Sequence, residues 1–536
     1  MYTMTFLSSS ERGFLRAASN LAFCNPFLPE RLRHERAALG AECVEEEPVW
    51  SFSVDEPERR RSNVWRIAAR MEELCPRLRR KLTTGVAASR QDLMLYEEAA
   101  LSLLYQRYYP RFFEAEFGAA REAGAARWRF YEQFRADWAY FLEIETRPLP
   151  SCYEPVHTFA CFRQIQRAFE RIFRNIIGNS VPAARLRAAV WQSIFTHDMR
   201  RYRRTLFERM SEFVTLITGP SGTGKEVVAR AIAESRYLRF DGRRMTFDDD
   251  AAASFFPINI SALSPTLVES ELFGHRRGAF TGAVADRKGW LETCPELGSV
   301  FLDELGDMDL AIQVKLLRVI ETRTFHAVGD TGSRRFQGKL IAATHRDLAA
   351  EIRQGRFRED LYYRLCSDQI STPSLAQQLA DSPQMLRELV IYMARKIAGA
   401  EAEEFAAEAV TWVERNLGPT YRWPGNYREL EQCVRNVLIR RDYEPSVQPV
   451  RDPEDELARA FRLGELTAEQ LLCRYCAYLY GRTGSYEETA RRLGLDRRTV
   501  KAKVDLATRN ASQEEAGERE GKRGGSRDGI LEERRD

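Results

Sequence analysis

No stretch of the chain is long and apolar enough to cross a membrane, and the opening residues MYTMTFLSSSERGF lack the apolar core and cleavage site of a signal peptide. The formal charge of +3 is small for 536 residues, so any nucleic-acid contact has to come from a local basic face. Paired cysteines are scarce. Of ten, only Cys473 and Cys476 lie close together, with no second pair and no histidine pair to complete a metal set. In the helical run LLCRYCAYLY they read as buried packing. A cytoplasmic chain with reduced thiols is the expectation. The first third has few alternating β-branched runs, which excludes the parallel sheet that a phosphorelay receiver would need.

What fills that first third, from Met1 to about Asn179, is Arg, Glu and aromatic residues. LMLYEEAALSLLYQRYY (Leu93 to Tyr109) and RWRFYEQFRADWAYFLEIE (Arg127 to Glu145) place apolar groups at helical spacing, which predicts a mostly helical domain. Aromatics so spaced read as core, with a ligand pocket as the alternative. After IIGNSVPAARLRAAVWQSIF comes the basic helix MRRYRRTLFERM, read as a solvated face at a domain junction.

The chemical landmark is FVTLITGPSGTGK, Phe213 to Lys225, followed by the helical pattern EVVARAIAESR. A buried strand runs into a glycine-rich turn that ends in lysine. Gly219, Gly222 and Gly224 let backbone N–H groups point inward, the following helix adds its positive dipole end, and Lys225 supplies a point charge for β- and γ-phosphates. Glu226 stands where Ser or Thr usually helps to hold Mg²⁺. Beyond the loop, strand and helix patterns alternate, as in a parallel sheet with helices on both faces.

Three further strands end in polar groups. FFPINIS (Phe255 to Ser261) places Asn259 at its end, and GSVFLDELGDM places Asp303 and Glu304 at the C-terminal end of a buried strand, where open α/β sheets bind ligands. Asp303 can hold Mg²⁺ through water and Glu304 can polarise an attacking water; alone, two acids there could equally cap a helix. KLIAATHRDL sets Thr344 and His345 where a γ-phosphate could be sensed, with a structural histidine the alternative. Arg358 and Arg364 fall on the short helical stretch RQGRFREDLYYRL, beside acids that could make them ordinary surface pairs. In ELFGHRRGAFTGAVADRKGW, glycines flank Phe280 and leave it without a local core, so an exposed apolar loop tip for a protein contact is expected.

The region after Pro373 turns helical and closes on WPGNYRELEQCVRNVLIR, a small lid with Arg428 at the start of its last helix. A Pro-, Asp- and Arg-rich linker leads to LTAEQLLCRYCAYLYGRTG and SYEETARRLGLDRRTVKAKVDLA. There Ala490 and Gly494 bracket a tight turn, Leu493, Leu495, Val500 and Val504 face inward, and a second helix exposes Arg497, Arg498, Lys501 and Lys503, with Thr499 beside them as a further candidate DNA contact. That is the form of a helix-turn-helix recognition helix, with plain packing as the alternative. The charged, Gly-rich end is expected to be disordered.

From about Ile177 to Arg441 the sequence resembles the AAA+ domain of bacterial enhancer-binding proteins, the NtrC-like activators of RNA polymerase carrying sigma-54. The motifs fall in the family's order: GPSGTGKE, ELFGHRRGAFTGA, VFLDEL, AATHRDL, FREDLYYRL and WPGNYREL. The C-terminal helices resemble the Fis-type helix-turn-helix that accompanies it. The implied architecture is an α/β AAA+ P-loop ATPase domain with a helical lid, preceded by a mostly helical N-terminal domain and followed by a helix-turn-helix. Its bounds are 1–179 for the regulatory region, 180–372 for the α/β subdomain, 373–441 for the lid, 442–465 for the linker, 466–508 for the helix-turn-helix and 509–536 for the tail.

The resemblance also implies roles. Gly219, Pro220, Ser221, Gly222, Thr223, Gly224, Lys225 and Glu226 form the ATP-binding stretch, and Glu226 is the family's own residue there. Asp303 and Glu304 serve Mg²⁺ and the catalytic water, Asn259 pairs with the glutamate, Thr344 and His345 sense the nucleotide, Arg358 and Arg364 are fingers reaching a neighbour's nucleotide, and Arg428 is the lid's sensor. Gly278, Ala279, Phe280, Thr281, Gly282 and Ala283 form the loop that engages sigma-54. The implied partners are the sigma-54 polymerase holoenzyme, upstream activator DNA and further copies of the chain in a ring, a hexamer, with no membrane. A DNA-binding regulator that holds nucleotide without remodelling polymerase is the alternative. The chain departs from the family at Pro220, in the long segment RYLRFDGRRMTFDDDAAASF, and in TPSLAQQLADSP at the start of the lid.

Overall fold

The computed structural model describes residues 5–49, 62–118, 127–145, 147–151, 153–248, 255–418, 421–445 and 467–507. The linker beyond residue 445, as far as 466, and the tail 509–536 lie outside the described residues. The chain divides into two units, Met1–Tyr443 and Glu444–Asp536.

The first unit opens with helices Ser9–Phe23, Glu30–Leu39, Ser62–Thr83, Arg90–Phe117, Tyr131–Leu142 and Pro155–Asn175. Their apolar faces meet in one aromatic-rich core, as the helical spacing predicts. At its centre is Phe159, fully buried, with ring centroids 4.8 Å from Phe112, 5.0 Å from Tyr131 and 5.1 Å from Phe134. Such offset and edge-on pairs add to area burial because ring edges and faces carry opposite partial charge.

The α/β part is built on a parallel sheet of five strands in the order β4-β5-β8-β1-β9. These are β1 (Thr215–Thr218), β4 (Phe255–Asn259), β5 (Ser299–Asp303), β8 (Lys339–Thr344) and β9 (Asp368–Ser371). Short antiparallel pairs β2 (Phe240–Asp241) with β3 (Thr246–Phe247), and β6 (Thr324–Phe325) with β7 (Arg334–Arg335), lie outside it. Every strand expected from the apolar runs is present, and parallel pairing buries both faces, which is why those runs alternate so little. Register sets the strand ends side by side: Thr218 pairs with Thr344, and Asn259 with Asp303.

The long segment after the phosphate-loop helix has a structural purpose. Its β2–β3 hairpin leaves the sheet and enters the N-terminal core, where Phe240 lies 4.7 Å from Phe159 and Phe247 lies 4.8 Å from Trp128. Arg163 stacks its guanidinium over Phe247 at 4.0 Å. Next to it, the last N-terminal helix lies along the phosphate-loop helix Lys225–Ala233, so that Ala168, Phe169 and Ile172 share a core with Val228, Ala229 and Ile232. Gln164 Nε2 donates to the Ser235 carbonyl at 2.9 Å beside it.

The basic stretch before β1 differs from the expected solvated face. After Met199–Arg201 the backbone widens into a π-helical turn, Tyr202–Leu206, with Phe207 N donating to Tyr202 O at 3.1 Å. The widened turn brings Tyr202 and Arg203 inward together, 2% and 5% exposed. Arg200 also turns in, donating from Nε to Glu98 at 2.6 Å.

The lid comprises Leu375–Asp381, Met385–Ala398, Ala402–Asn416 and Asn426–Arg440 around its own apolar core. Its unusual opening is a well-formed helix start: Ser374 Oγ accepts from Gln377 N at 3.2 Å while Gln377 Oε1 accepts from Ser374 N at 3.0 Å.

In the second unit, helices Ala468–Thr483 and Tyr486–Leu493 precede a third over residues 497–507. Cys476, Ala490, Val500 and Val504 form the small core, partly covered by Leu493 and Leu495, and Gly494 makes the turn at φ +65°. Cys473 and Cys476 are both buried. Among the described residues no helix is long and apolar enough to span a membrane.

Candidate active site

Each strand end contributes one component, because parallel strands present all their C-terminal ends on one edge. From β1 the chain enters the glycine turn, and the helix beginning at Lys225 directs its N-terminus at the same edge. Gly222 needs to be glycine twice over. Its φ is +76°, and a Cβ there would lie 2.2 Å from the carbonyl oxygen of Gly425 in the lid.

That close approach belongs to a set of contacts that ties loop to lid. Tyr427 N donates to Gly222 O at 3.1 Å, and Asn426 Nδ2 donates to Ser221 O at 2.9 Å. Asn426 Oδ1 in turn accepts from Leu375 N at 2.8 Å, so one buried side chain joins the phosphate loop to both the first and last helices of the lid. Arg428 Nη1 reaches Ser221 Oγ at 3.4 Å, at the long end of hydrogen bonding. Thr223 Oγ1 donates to Pro220 O at 2.8 Å and lies 2.7 Å from Thr372 Oγ1, so Pro220 leaves the turn closed.

Lys225 is buried and curls back on its own loop, its Nζ donating to the carbonyls of Gly219 at 3.1 Å and Pro220 at 3.2 Å. Burial holds its pKa below the ordinary lysine value, against the opposing pull of Glu304 and Asp303. Burial first, and the charge of Glu304 second, push the Asp303 carboxyl up from the usual carboxylate range. Two half-buried acids beside a lysine form a site that favours an added cation. Glu226 stays outside and pairs with Arg230 at 3.1 Å.

Glu304 has φ +54°, a left-handed conformation that is uncommon for a residue with a side chain and costs of order 1 kcal/mol or more. Its carboxylate is held by His345, whose Nδ1 lies 2.6 Å from Oε2. Asn259 does not make that contact: its Oδ1 accepts from Ser261 Oγ at 2.7 Å. The resemblance implied an asparagine–glutamate pair. Here His345, one residue past β8, holds the carboxylate instead, through both its backbone N and Nδ1. Thr344 is fully buried, and its Oγ1 accepts from Arg346 N at 3.1 Å.

Arg358 and Arg364 are both surface residues. Arg358 donates to Asp360 at 3.0 and 2.7 Å, and Arg364 to Glu321 at 3.1 Å. Neither of these contacts leads to the phosphate loop of the same chain.

The GAFTGA loop corrects an expectation. Phe280 is half-buried, its ring set edge-on to His275 with centroids 4.9 Å apart. The loop folds on itself through Gly278 N to Ala283 O at 2.8 Å and Ala283 N to Phe280 O at 3.0 Å, which lays the ring against the domain and buries Ala283. Thr281 and Gly282 stay exposed, as does Val284. Ala279 is half-buried.

On the third helix of the second unit, Arg497, Arg498 and Lys501 are exposed. Thr499 instead hydrogen-bonds back to Asp496, and Lys503 is drawn to Glu469 at 2.8 Å, its side chain only 21% exposed. Periodicity placed Lys503 outward without regard to the first helix packed beside it. Sequence reasoning also missed Asn426 and Thr372, which look like ordinary turn residues until the loop and lid meet.

Residues 195–371 match the family described as "Sigma-54 interaction domain". The chain is 38% identical over 302 residues to "Transcriptional regulatory protein ZraR" of Escherichia coli (strain K12), covering 55% of this chain and 63% of that protein. It is 38% identical over 274 residues to "DNA-binding transcriptional regulator NtrC" of Azospirillum brasilense, covering 48% and 53%. The chain thus spans between half and two thirds of the length of these curated relatives. A crystal structure of NtrX from Brucella abortus in complex with ATP is similar at a TM-score of 0.37 and 23% identity, covering 67% of this chain and 76% of that one.

Proposed function

We propose, from the match of residues 195–371 to the sigma-54 interaction domain and the likeness to ZraR and NtrC, that the chain is a sigma-54-dependent, NtrC-like regulator, an ATP-driven activator of sigma-54 transcription acting as a ring. The observation that carries this reading is the meeting of Lys225, Asp303, Glu304 and Arg428 on one edge of a parallel sheet. In their assigned roles the loop amides and Lys225 bind the phosphates of ATP, and Arg428 carries the state of the nucleotide into the lid. Glu304, released from His345, orients the attacking water.

The donor set suits Mg²⁺. Among the described residues no group of three or more His, Cys, Asp or Glu side chains is disposed to hold a metal ion by itself, and Mg²⁺ is ordinarily held by one or two carboxylates together with phosphate oxygens and water. Asp303 would hold it, and the ion would neutralise charge developing on the phosphates. Arg358 and Arg364, whose side chains pair with the surface acids Asp360 and Glu321, would leave them for a neighbour's nucleotide in a ring, a hexamer. Lifting the self-bonded loop off His275 would offer Phe280 and Thr281 to sigma-54. Arg497, Arg498 and Lys501 would hold upstream DNA, with affinity falling steeply as salt rises.

The test compares the purified chain with Glu304→Gln and Phe280→Ala, reading ATP turnover and the capture of sigma-54 with a transition-state analogue of ATP. Glu304→Gln is expected to bind ATP and turn it over about 100-fold or more slowly. Phe280→Ala is expected to hydrolyse ATP without capturing sigma-54. Hydrolysis by the unaltered chain with no capture of sigma-54 would overturn the activator reading.

A further inference from the structure

A cavity of about 160 Å³ lies between the N-terminal helices and helix Val181–Phe195, walled by Leu21, Met71, Leu101, Phe162, Phe169 and Trp191 from five different helices. Well-packed interiors hold few voids larger than a water molecule, and an apolar cavity of about 150 Å³ takes up one benzene ring. The walls are braced against collapse. Phe27, which is off the wall, stacks on Phe169 with centroids 5.2 Å apart and stands edge-on to Trp191 at 6.0 Å, and Tyr105 braces Phe162 at 5.3 Å. Left empty, such a space forfeits dispersion contacts along its whole lining.

The charges on the wall are already engaged. Arg31 donates to Glu35 at 2.9 Å and to Glu46 at 2.8 Å, and Glu35 also accepts from Asn63 at 3.0 Å. Glu98 accepts from Arg200 at 2.6 Å. Arg203 contributes to the wall, but its guanidinium sits 4.8 Å from the ring of Tyr153, which is off the wall. What remains is apolar apart from two neutral kinds of group: Ser102, Tyr105 and Gln106, all on helix Arg90–Phe117, and the Cys24 thiol, which donates to Leu21 O at 3.2 Å. A charged ligand would enter without a partner, and an unpaired buried charge is costly, whereas an uncharged one gains the transfer of its apolar area out of water.

We propose that this cavity is a binding site for a small, uncharged, apolar molecule about one six-membered ring in size. Phe169 and Trp191 share a core with Ile217 of β1 and Val228 of the phosphate-loop helix, so the ligand seats against the layer that supports both.

The experiment is calorimetric titration of the full chain with toluene and with benzoate, which share a ring and nearly a shape but differ in charge. Nucleotide and sigma-54 are left out, so the outcome is separate from that of the activator reading. Toluene is expected to bind about tenfold or more tightly than benzoate. Ser102→Leu and Ala18→Leu, which fill the cavity from two different helices, are each expected to weaken toluene about tenfold or more. No binding of toluene at millimolar concentration, benzoate binding as tightly as toluene, or unchanged toluene affinity in a folded filling variant would overturn the proposal. Should one variant fail to fold, the other and the toluene-to-benzoate ratio decide it.

Discussion

The phosphate loop is joined to the lid by hydrogen bonds among backbone groups, Asn426 and Tyr427, whereas the helix that follows the loop is joined to the N-terminal domain by aromatic rings and aliphatic packing. Hydrogen bonds of the first kind exchange with water or a ligand at small net cost. Buried rings do not, because separating them exposes apolar area with no substitute partner. The comparison teaches which boundary is built to move. The lid can change its relation to the loop, while the β2–β3 hairpin and helix Pro155–Asn175 hold the N-terminal half firmly to the back of the site.

The sharpest way to break that comparison is Phe240→Ala. It removes a buried ring from the shared core and is expected to cost about 3–5 kcal/mol in denaturant unfolding. A loss below about 1 kcal/mol would mean that the hairpin merely rests on the N-terminal helices.

Next comes Lys339, a polar exception on the apolar side. Its buried Nζ donates to the carbonyls of Met210 at 3.3 Å and Phe213 at 3.0 Å, and burial brings its pKa down to about 8 from 10.5. With the folded value depressed, the unfolded state binds more protons between those two values, so this lysine makes the protein more stable as pH rises from about 8 to 10.5. The Lys339→Met variant should lose that increment, about 3 kcal/mol over the window, relative to the unaltered chain. Parallel stability curves for the two would refute it.

On the polar side, Asn426→Ala removes two buried hydrogen bonds and is expected to cost about 2 kcal/mol, with amide exchange rising in Leu375–Asp381 and in the phosphate loop together. Exchange confined to the lid would show that Asn426 is no bridge. The smallest effect belongs to Ser374→Ala, which loses a helix cap worth about 1 kcal/mol and should fray the lid's first helix alone.

How much of this was legible in advance depends on the range of the interaction. The phosphate loop, the acids ending β5 and the strands themselves could be read because each is specified by neighbours in sequence: an apolar run, a glycine at positive φ, a lysine at the start of a helix. Phe280 was misjudged because its partner His275 is fixed by a loop that folds on itself. Lys503 was misjudged because Glu469 comes from another helix. The basic run before β1 looked like a solvated face because 3.6-residue periodicity does not anticipate a π-helical turn.

By itself the sequence determined four of the sheet's five strands, with β9 left unread, the edge where they end, the helical character of both flanks and the likeness to NtrC-like regulators. Only the tertiary structure decided that the long segment after the loop is an anchor, that Asn426 bridges loop and lid, that His345 holds Glu304, and that Tyr202 and Arg203 turn inward on a π-helical turn. The physical reason is the same in each case. Backbone preference and periodicity are local and survive in a linear reading, whereas burial, and the pairing of polar groups that burial demands, depend on which distant segments arrive at the same place.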